Sequence, residues 1–498
     1  MLLYKILKRS RVVLSLLVFA GIAFCFASVW IKATHFLAPL LKLQFVPALL
    51  GLFAGTFWAC IALLLLTLLF GRLYCSLLCP VGTLQDLFIR KKFRYRKPQH
   101  LVRYTILAFV AICWLLGFTL PLLALDPYSN FGRIAVHLFG PVVLWLNNIA
   151  SNIAPNTLYL IRFIPASNWM YILAMAILLI IVGISFLRGR LLCNTICPVG
   201  SFLGLISPFS FFKFAINREA CNHCNVCSKK CKAECINGKE QQIDYSRCVV
   251  CFNCTLACKQ DAISFVNSWK KQPKQTEAAL SKGRRFFLAS VGGLTGAAAM
   301  YRASGGTSLT ASSDKNTIAP PGARSHEHLK KYCTACQACV AACPMRIIKP
   351  TATGYGLDGW MLPAISFDRG FCSFDCNRCS EVCPTLAIER TALEEKKLIQ
   401  IGKARFIPRY CVVTKDRTDC GACDEHCPTK AVYMLPWGDS GLRRPQVDEE
   451  HCIGCGACEF ICPTSPKAIA VQAQVVHGTA LPPVLEKQEQ INVDDFGF

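Results

Sequence analysis

The sequence predicts a mixed architecture: a polytopic α-helical membrane bundle of four spans, joined to two small α+β modules built around cysteine loops. Three observations carry this expectation. Hydrophobic residues make up 53% of the 498 positions and mean hydropathy is +0.39, high for a chain that stays in water. The 32 cysteines fall in ordered groups. Charge is lopsided, since up to Tyr301 there are 32 basic and 8 acidic residues, and beyond it 22 of each. A net charge of +24 can signal nucleic-acid binding. Here the basic residues flank apolar segments, which reads instead as a membrane-topology signal. Thiols in this number suit ligands loaded in a reducing compartment.

Four segments are apolar over roughly 20 residues, enough to cross a bilayer as helices. They are about Val12–Ile31, Val46–Phe70, Tyr104–Leu125 and Trp169–Leu187. Lys5, Lys8, Arg9 and Arg11 precede the first, and Arg90, Lys91, Lys92, Arg94, Arg96 and Lys97 follow the second. The loops after the first and third are poor in such residues, so both ends of the bundle are expected to face the cytoplasm. Ile134–Leu146 is too short to span and contains Pro141, so it reads as interfacial or re-entrant.

An internal repeat lies in this half. Gly71–Leu87 (GRLYCSLLCPVGTLQDL) and Gly189–Leu205 (GRLLCNTICPVGSFLGL) align without gaps, each after an even-numbered span. Two hairpins related by a pseudo-twofold axis along the membrane normal are expected. Each motif has two thiolates; together Cys75, Cys79, Cys193 and Cys197 supply four. They would form a redox or quinol-proximal site, with an additional metal, or else pack the helix ends.

The chain turns on Cys221–Cys258, which reads CNHCNVCSKKC, 16 further residues, then CVVCFNCTLAC. Each half is a C-x2-C-x2-C-x3-C run, in which three cysteines hold one [4Fe–4S] cluster and the fourth reaches to its neighbour. That gives Cys221, Cys224, Cys227 and Cys258 to one cluster, and Cys248, Cys251, Cys254 and Cys231 to the other. Zinc sites more often use two separated CxxC pairs. Lys232 and Lys259 stand where proline usually follows the fourth cysteine, which places positive charge near the clusters. Cys235 is left over and reads as structural.

Four spans, two GRxxCxxxCP motifs and this two-cluster module resemble the NapH type of membrane ferredoxin, with kinship to the membrane part of NosR-like proteins. The resemblance covers about Lys5–Phe265 and implies a quinol dehydrogenase component fed by the membrane quinol pool. Gly204 departs from the repeat where the first copy has Asp86, and the two prolines are missing.

After a polar linker, Ser268–Lys282, comes GRRFFLASVGG from Gly283. Arg284, Arg285, Phe287 and Leu288 match the core of a twin-arginine signal, followed by a weakly apolar stretch to Tyr301; Gly283 and Ala289 depart from it. Such signals direct export of folded proteins. The stretch would be a fifth membrane pass or a cleavage region, the alternative being a flexible linker or surface helix.

A second linker, Ala303–Arg324, leads to CTACQACVAACP from Cys333, CSFDCNRCSEVCP from Cys372, Cys411 with CGACDEHCP from Cys420, and CIGCGACEFICP from Cys452. Pairing neighbouring groups gives four further [4Fe–4S] sites. Their ligands would be Cys333, Cys336, Cys339 with Cys383; Cys372, Cys376, Cys379 with Cys343; Cys411, Cys420, Cys423 with Cys462; and Cys452, Cys455, Cys458 with Cys427. Pairing the first group with the fourth and the second with the third is the alternative. The β-prone pieces Ala387-Ile388, Ala431-Val432-Tyr433 and Ala468–Val471 fit small hairpins of a ferredoxin-like fold. From Arg284 to about Val475 the chain is similar to the NapG type of exported four-cluster ferredoxin, so the whole looks like a NapH–NapG fusion.

The expected divisions are 1–210 (membrane bundle), 211–267 (two-cluster module), 268–325 (linker), 326–475 (four-cluster domain) and 476–498 (tail). His223, His426 and His451 sit beside cluster cysteines and would tune potentials. His35, Asp86, Asp126 and His137 could accept quinol protons, or simply anchor and cap. Gly354, Gly356 and Gly359 form an isolated GxGxxG without strand–helix context, and there is no haem-attachment motif. The expected function is electron transfer through six clusters from quinol to a terminal reductase, plausibly a periplasmic one such as nitrate reductase. The first module would be cytoplasmic, the four-cluster domain periplasmic, and no nucleic acid would be involved. The alternatives are a maturation or redox-sensing factor for a metalloenzyme, and ferredoxin-linked quinone reduction.

Overall fold

The computed structural model describes residues 2–27, 31–51, 57–90, 94–153, 160–161, 165, 167–268, 316–356 and 359–483. Within them, three helices are long and apolar enough to cross a membrane: α1 (Leu2–Ala27), α2 (Pro127–Ile153) and α3 (Asn168–Arg188). In α1, Arg11, Ser15, Val18, Ile22 and Phe26 recur at helical spacing and are buried, while Leu14, Leu16 and Leu17 face outward. One stripe thus packs on the bundle and the rest suits lipid.

Two expected spans are broken. Val46–Phe70 is divided into helices Phe45–Gly51 and Trp58–Phe70, with residues 52–56 outside the described set. Tyr104–Leu125 becomes His100–Leu115 and Leu120–Leu125, interrupted at Gly117, whose φ of +91° no α-helix accommodates. Conversely, Ile134–Leu146 is no re-entrant piece but the middle of α2. The reason is local: Ala135–Phe139 forms a π turn in which Gly140 N–H donates to Ala135 O. The extra residue slackens the ladder where Pro141 has no N–H to give, so the helix passes through the proline.

The cysteine-rich parts are built from short helices and two-stranded antiparallel ribbons. Phe212–Ile216 pairs with Ile263–Asn267 and closes the first module, with Phe214, Phe252 and Phe265 packed edge to face around it. In the second, Ile348–Pro350 pairs with Pro363–Ile365, Val432–Pro436 with Arg443–Val447, and Ile399–Phe406 with Ile469–Thr479. That last strand runs from Ile469↔Phe406 to Thr479↔Ile399, so the expected tail from 476 begins inside a strand. Ala387-Ile388 is buried but not a strand. Both linkers in large part, and the whole twin-arginine stretch, fall outside the described residues.

The two modules sit against opposite ends of α1. Phe265 N–H of the first donates to Tyr4 Oη at 3.0 Å. At the other end, Phe26 packs against Tyr128 and Phe131 of α2, and a Cβ on Gly132 would lie 2.3 Å from Cys336 O of the second module and 3.0 Å from the Phe26 ring. Tyr4 and Phe26 are about 33 Å apart at 1.5 Å per residue. Ser129 Oγ donates to Thr334 O at 2.6 Å and the Arg133 guanidinium lies 5.5 Å from the Trp360 ring centre, fixing the second module on the first turns of α2.

Candidate iron–sulfur centres

The loops that carry the thiols are wound by left-handed residues at fixed offsets. In the groups starting at Cys221, Cys248, Cys333 and Cys452, the residues two and four positions on have positive φ: His223 and Asn225, Val250 and Phe252, Ala335 and Gln337, Gly454 and Gly456. Each non-glycine residue held there costs about 1–2 kcal/mol. The alternation turns successive side chains inward around one centre. The Cys372 and Cys411 groups, whose spacing departs from C-x2-C, do not show this pair of left-handed residues.

Three of the six expected ligand sets each line a single cavity. These are Cys221, Cys224, Cys227 and Cys258; Cys231, Cys248, Cys251 and Cys254; and Cys333, Cys336, Cys339 and Cys383. Two further sets show in the electrostatics. Burial pushes Cys379 up, and the thiols of Cys372, Cys343 and Cys376 add to it. Burial likewise raises Cys458, with Cys455, Cys452 and Cys427 adding. Cys423 is raised to about 12 by burial, then by Cys420 and, more weakly, Cys411. Cys462 is less tied to that set, though it shares an apolar core with Cys411.

Among the described residues, no three His, Cys, Asp or Glu side chains converge as a single metal ion requires. A Zn–S bond of about 2.3 Å would draw thiolates to about 4 Å of one another. Four thiols ringed around a cavity fit a cubane better, and burial that penalises the free thiolate is relieved when iron takes up its charge. N–H groups point at several sulfurs: Ala335 to Cys333 at 3.3 Å, Ile388 to Cys383 and Ala404 to Cys452 at 3.4 Å. The hydroxyls of Thr385, Thr429 and Thr464 lie 3.7, 3.7 and 3.2 Å from Cys383, Cys427 and Cys462. Sequence reasoning missed these threonines, although Cys-Pro-Thr three times over was a signal. It also left Cys235 outside the site, whereas its sulfur lies 3.4 Å from Cys231 on the same cavity.

The repeats interlock as a swapped pair. Arg72 Nη2 donates to Cys193 O at 2.8 Å, and Arg190 Nη1 to Cys75 O at 2.7 Å, so each arginine caps the other copy's cysteine turn. All four cysteines are buried, and Cys75, Cys193 and Cys197 are within electrostatic reach of Cys79. Cys193 Sγ donates to Gln85 Oε1 at 2.9 Å and Gly200 N–H to Cys197 Sγ at 3.4 Å.

Asp86 is salt-bridged to Arg190 at 2.8 Å and to Lys232 at 3.2 Å, and Lys232 is also close enough to Cys251 for its charge to favour that thiolate. Asp126 caps α2, accepting from Tyr128 N, Ser129 N and Ser129 Oγ. The His35 side chain is outside the described set. His223 pairs with Gln241, His426 with Ala422 O and His451 with Asp448. His137 is buried, with Nε2 2.6 Å from Gln337 Oε1.

Known proteins match along the same lines. A family profile described as "4Fe-4S binding domain" matches residues 50–98 and 171–218, covering both GRxxCxxxCP repeats, and a "4Fe-4S dicluster domain" matches 416–465. The chain is similar to protein MJ0750 of Methanocaldococcus jannaschii, 24% identical over 43% of this chain and 79% of that one. It is also similar to the methylamine utilization ferredoxin-type protein MauN of Paracoccus denitrificans, 31% identical over 37% of this chain, and spans about half (54%) of its length. The ferredoxin-type protein NapH of Escherichia coli is 25% identical over 47% of this chain and 76% of its own. No solved structure matches. The cysteine loops, the 4Fe–4S domain matches, the ferredoxin-type relatives and three apolar helices together indicate a membrane iron–sulfur electron-transfer protein.

Proposed function

We propose that the chain carries electrons from the quinol pool to a terminal reductase, such as periplasmic nitrate reductase, with the first module cytoplasmic and the four-cluster domain periplasmic. One observation carries the reading: the two cysteine modules contact opposite ends of one membrane-length helix, at Tyr4 and near Phe26, positions about 33 Å apart along its axis. A soluble ferredoxin would need no such arrangement. The twin-arginine stretch between them would direct export of the second module, and the joined modules work as a fusion of the NapH and NapG types.

Six [4Fe–4S] clusters would be held by the six cysteine sets, neighbour paired with neighbour. When bound, each supplies one-electron transfer. The residues around them exclude water and aim N–H and hydroxyl donors at sulfur, which raises potential. Cys372 N–H donates to Cys455 O at 2.9 Å, a direct link between the second and fourth groups of the large domain. The turn that carries Cys75 is tied to α1, Ser76 O accepting from Arg11, and this supports reading the four repeat cysteines as lying between the modules. They would form the relay that joins the two faces.

An anaerobic titration with a reduced menaquinone analogue tests the reading, following visible bleaching and EPR. Partial reduction blocked by a quinol-site inhibitor is expected; clusters reducible by dithionite and untouched by quinol would overturn it. Cys339→Ser is expected to remove about four iron atoms per chain, and unchanged iron would remove Cys339 from the ligand set. Mössbauer spectra of Cys75→Ser and Cys193→Ser test the relay, where unchanged iron leaves only helix-end packing.

A further inference from the structure

At the junction of the membrane helices with the four-cluster domain is a cavity of about 310 Å³, within the range of small-molecule sites. Phe26, Val136, Leu144 and Met170, from all three long helices, give it apolar walls. His137, Tyr171 and Arg346 give it polar ones. Outside it, Val142, Trp145 and Ile172 are exposed on α2 and α3, where lipid would lie. A molecule with a polar ring and an apolar tail could therefore reach the cavity from the bilayer.

The wall opposite the membrane is the short helix Ala338–Ala342, through Val340 and Ala341. That helix holds Cys339 of one thiol set and runs directly into Cys343 of the next. Two one-electron acceptors would thus flank the cavity, as a two-electron donor requires. Gln337, the left-handed residue that starts the helix, is hydrogen-bonded to His137 Nε2 at 2.6 Å. That contact holds the Nε2 edge of the ring and orients the imidazole, a group able to take up a proton near neutral pH. Arg346, with Lys349 and Arg369 also on the lining, supplies positive charge that favours loss of a phenolic proton.

We propose that this cavity is the quinol-binding site, holding the ring between His137 and Arg346. This rests on the quinol reading above and adds where the donor sits. Oxidation of one quinol to quinone would release two electrons and two protons; the Cys333, Cys336, Cys339, Cys383 set and the Cys372, Cys376, Cys379, Cys343 set would each hold a [4Fe–4S] cluster able to take one of the electrons. The first proton would go to the His137 imidazole and the second to solvent. Electrons would then enter on the face of the four-cluster domain and need not cross from the first module.

The test uses the full-length holoprotein in liposomes, photolabelled with an azidoquinone and mapped by peptide mass spectrometry. Label is expected within residues 136–144 or 346–350; label confined to other segments overturns the assignment. Leu144→Trp fills the cavity and His137→Gln removes the proton acceptor. Both are expected to weaken binding of the fluorescent quinol analogue HQNO at least tenfold while dithionite still bleaches the clusters. Wild type that is reduced by quinol, with both variants binding HQNO equally well, would move the site and spare the quinol reading. Wild type that neither binds HQNO nor is reduced by quinol would overturn that reading itself. Displacement of HQNO by anionic phospholipid but not by quinone would make the cavity a lipid site.

Discussion

The two GRxxCxxxCP repeats have the same backbone plan and opposite solutions to the charge it buries. In both, an arginine crosses to cap the other copy's cysteine turn, and a glycine packs its Cα against a carbonyl. A Cβ on Gly82 would lie 2.1 Å from Cys75 O, and one on Gly200 2.1 Å from Cys193 O. The first repeat then brings its own carboxylate, Asp86, to meet Arg190, with Lys232 and Arg11 beside it. The second has Gly204 at that position, and the vacated space holds the Arg103 guanidinium, which would lie 1.7 Å from a Cβ there. Arg103 and Arg72 both donate to Ser246 O at 3.0 Å, in the two-cluster module, and Asp244 nearby supplies the negative charge. The comparison teaches that the missing carboxylate of the second repeat is a docking device. The space it leaves admits Arg103, which together with Arg72 of the first repeat ties the following module to the bundle.

The largest expected effect separates the two copies. Asp86→Asn leaves Arg190 and Arg11 buried without a carboxylate and should destabilise by about 3–5 kcal/mol. Arg72→Gln removes hydrogen bonds from an arginine without a direct carboxylate contact and should cost about 1–3 kcal/mol. Urea unfolding in detergent micelles measures both, and equal losses would break the contrast. The next effect should be alike in the two copies. Gly82→Ala and Gly200→Ala each drive a methyl into a carbonyl and should cost about 1–3 kcal/mol, where a helix would otherwise favour alanine. The smallest concerns acid. Burial alone would raise Asp244, but Arg247, Ser246 and Arg103 outweigh it and hold the group below the ordinary carboxylate range. Its contribution is therefore present above that range and lost as pH falls through its folded value. The first cysteine module should loosen in acid before the second, and Asp244→Asn should flatten that dependence, read by hydrogen exchange between pH 7 and 3.

Much of this was legible because local pattern and tertiary role coincide. The cysteine spacing suggested sets of thiols, three of which each line one cavity, and the repeat alignment drew attention to four cysteines that are all buried. Pro141 misled because a proline reads as a stop, whereas a π turn needs only one residue of slack and leaves no mark in composition. The left-handed positions were equally silent: His223, Asn225, Val250 and Phe252 carry no glycine to announce them. The His137–Gln337 contact joins residues 200 apart. No periodicity links such positions, and only docking of the large domain on α2 brings them together. The role of Gly204 was visible as a departure, but its meaning depended on Arg103 and Ser246, which no motif contains.

The arginine swap also dictates an order of biogenesis. Arg72 is fully buried, and its acceptor on Cys193 lies 121 residues further along the chain. When the first hairpin leaves the ribosome, that guanidinium has no carbonyl to receive it, and leaving it uncompensated in an apolar setting costs several kcal/mol. The hairpin must wait at the interface or in the insertion machinery until the second repeat arrives. Arg190 then finds Cys75 already in place, so the bundle closes in one late event. A nascent chain arrested before Cys193 would lack the acceptor that lets Arg72 be buried, so the first hairpin cannot complete its packing alone.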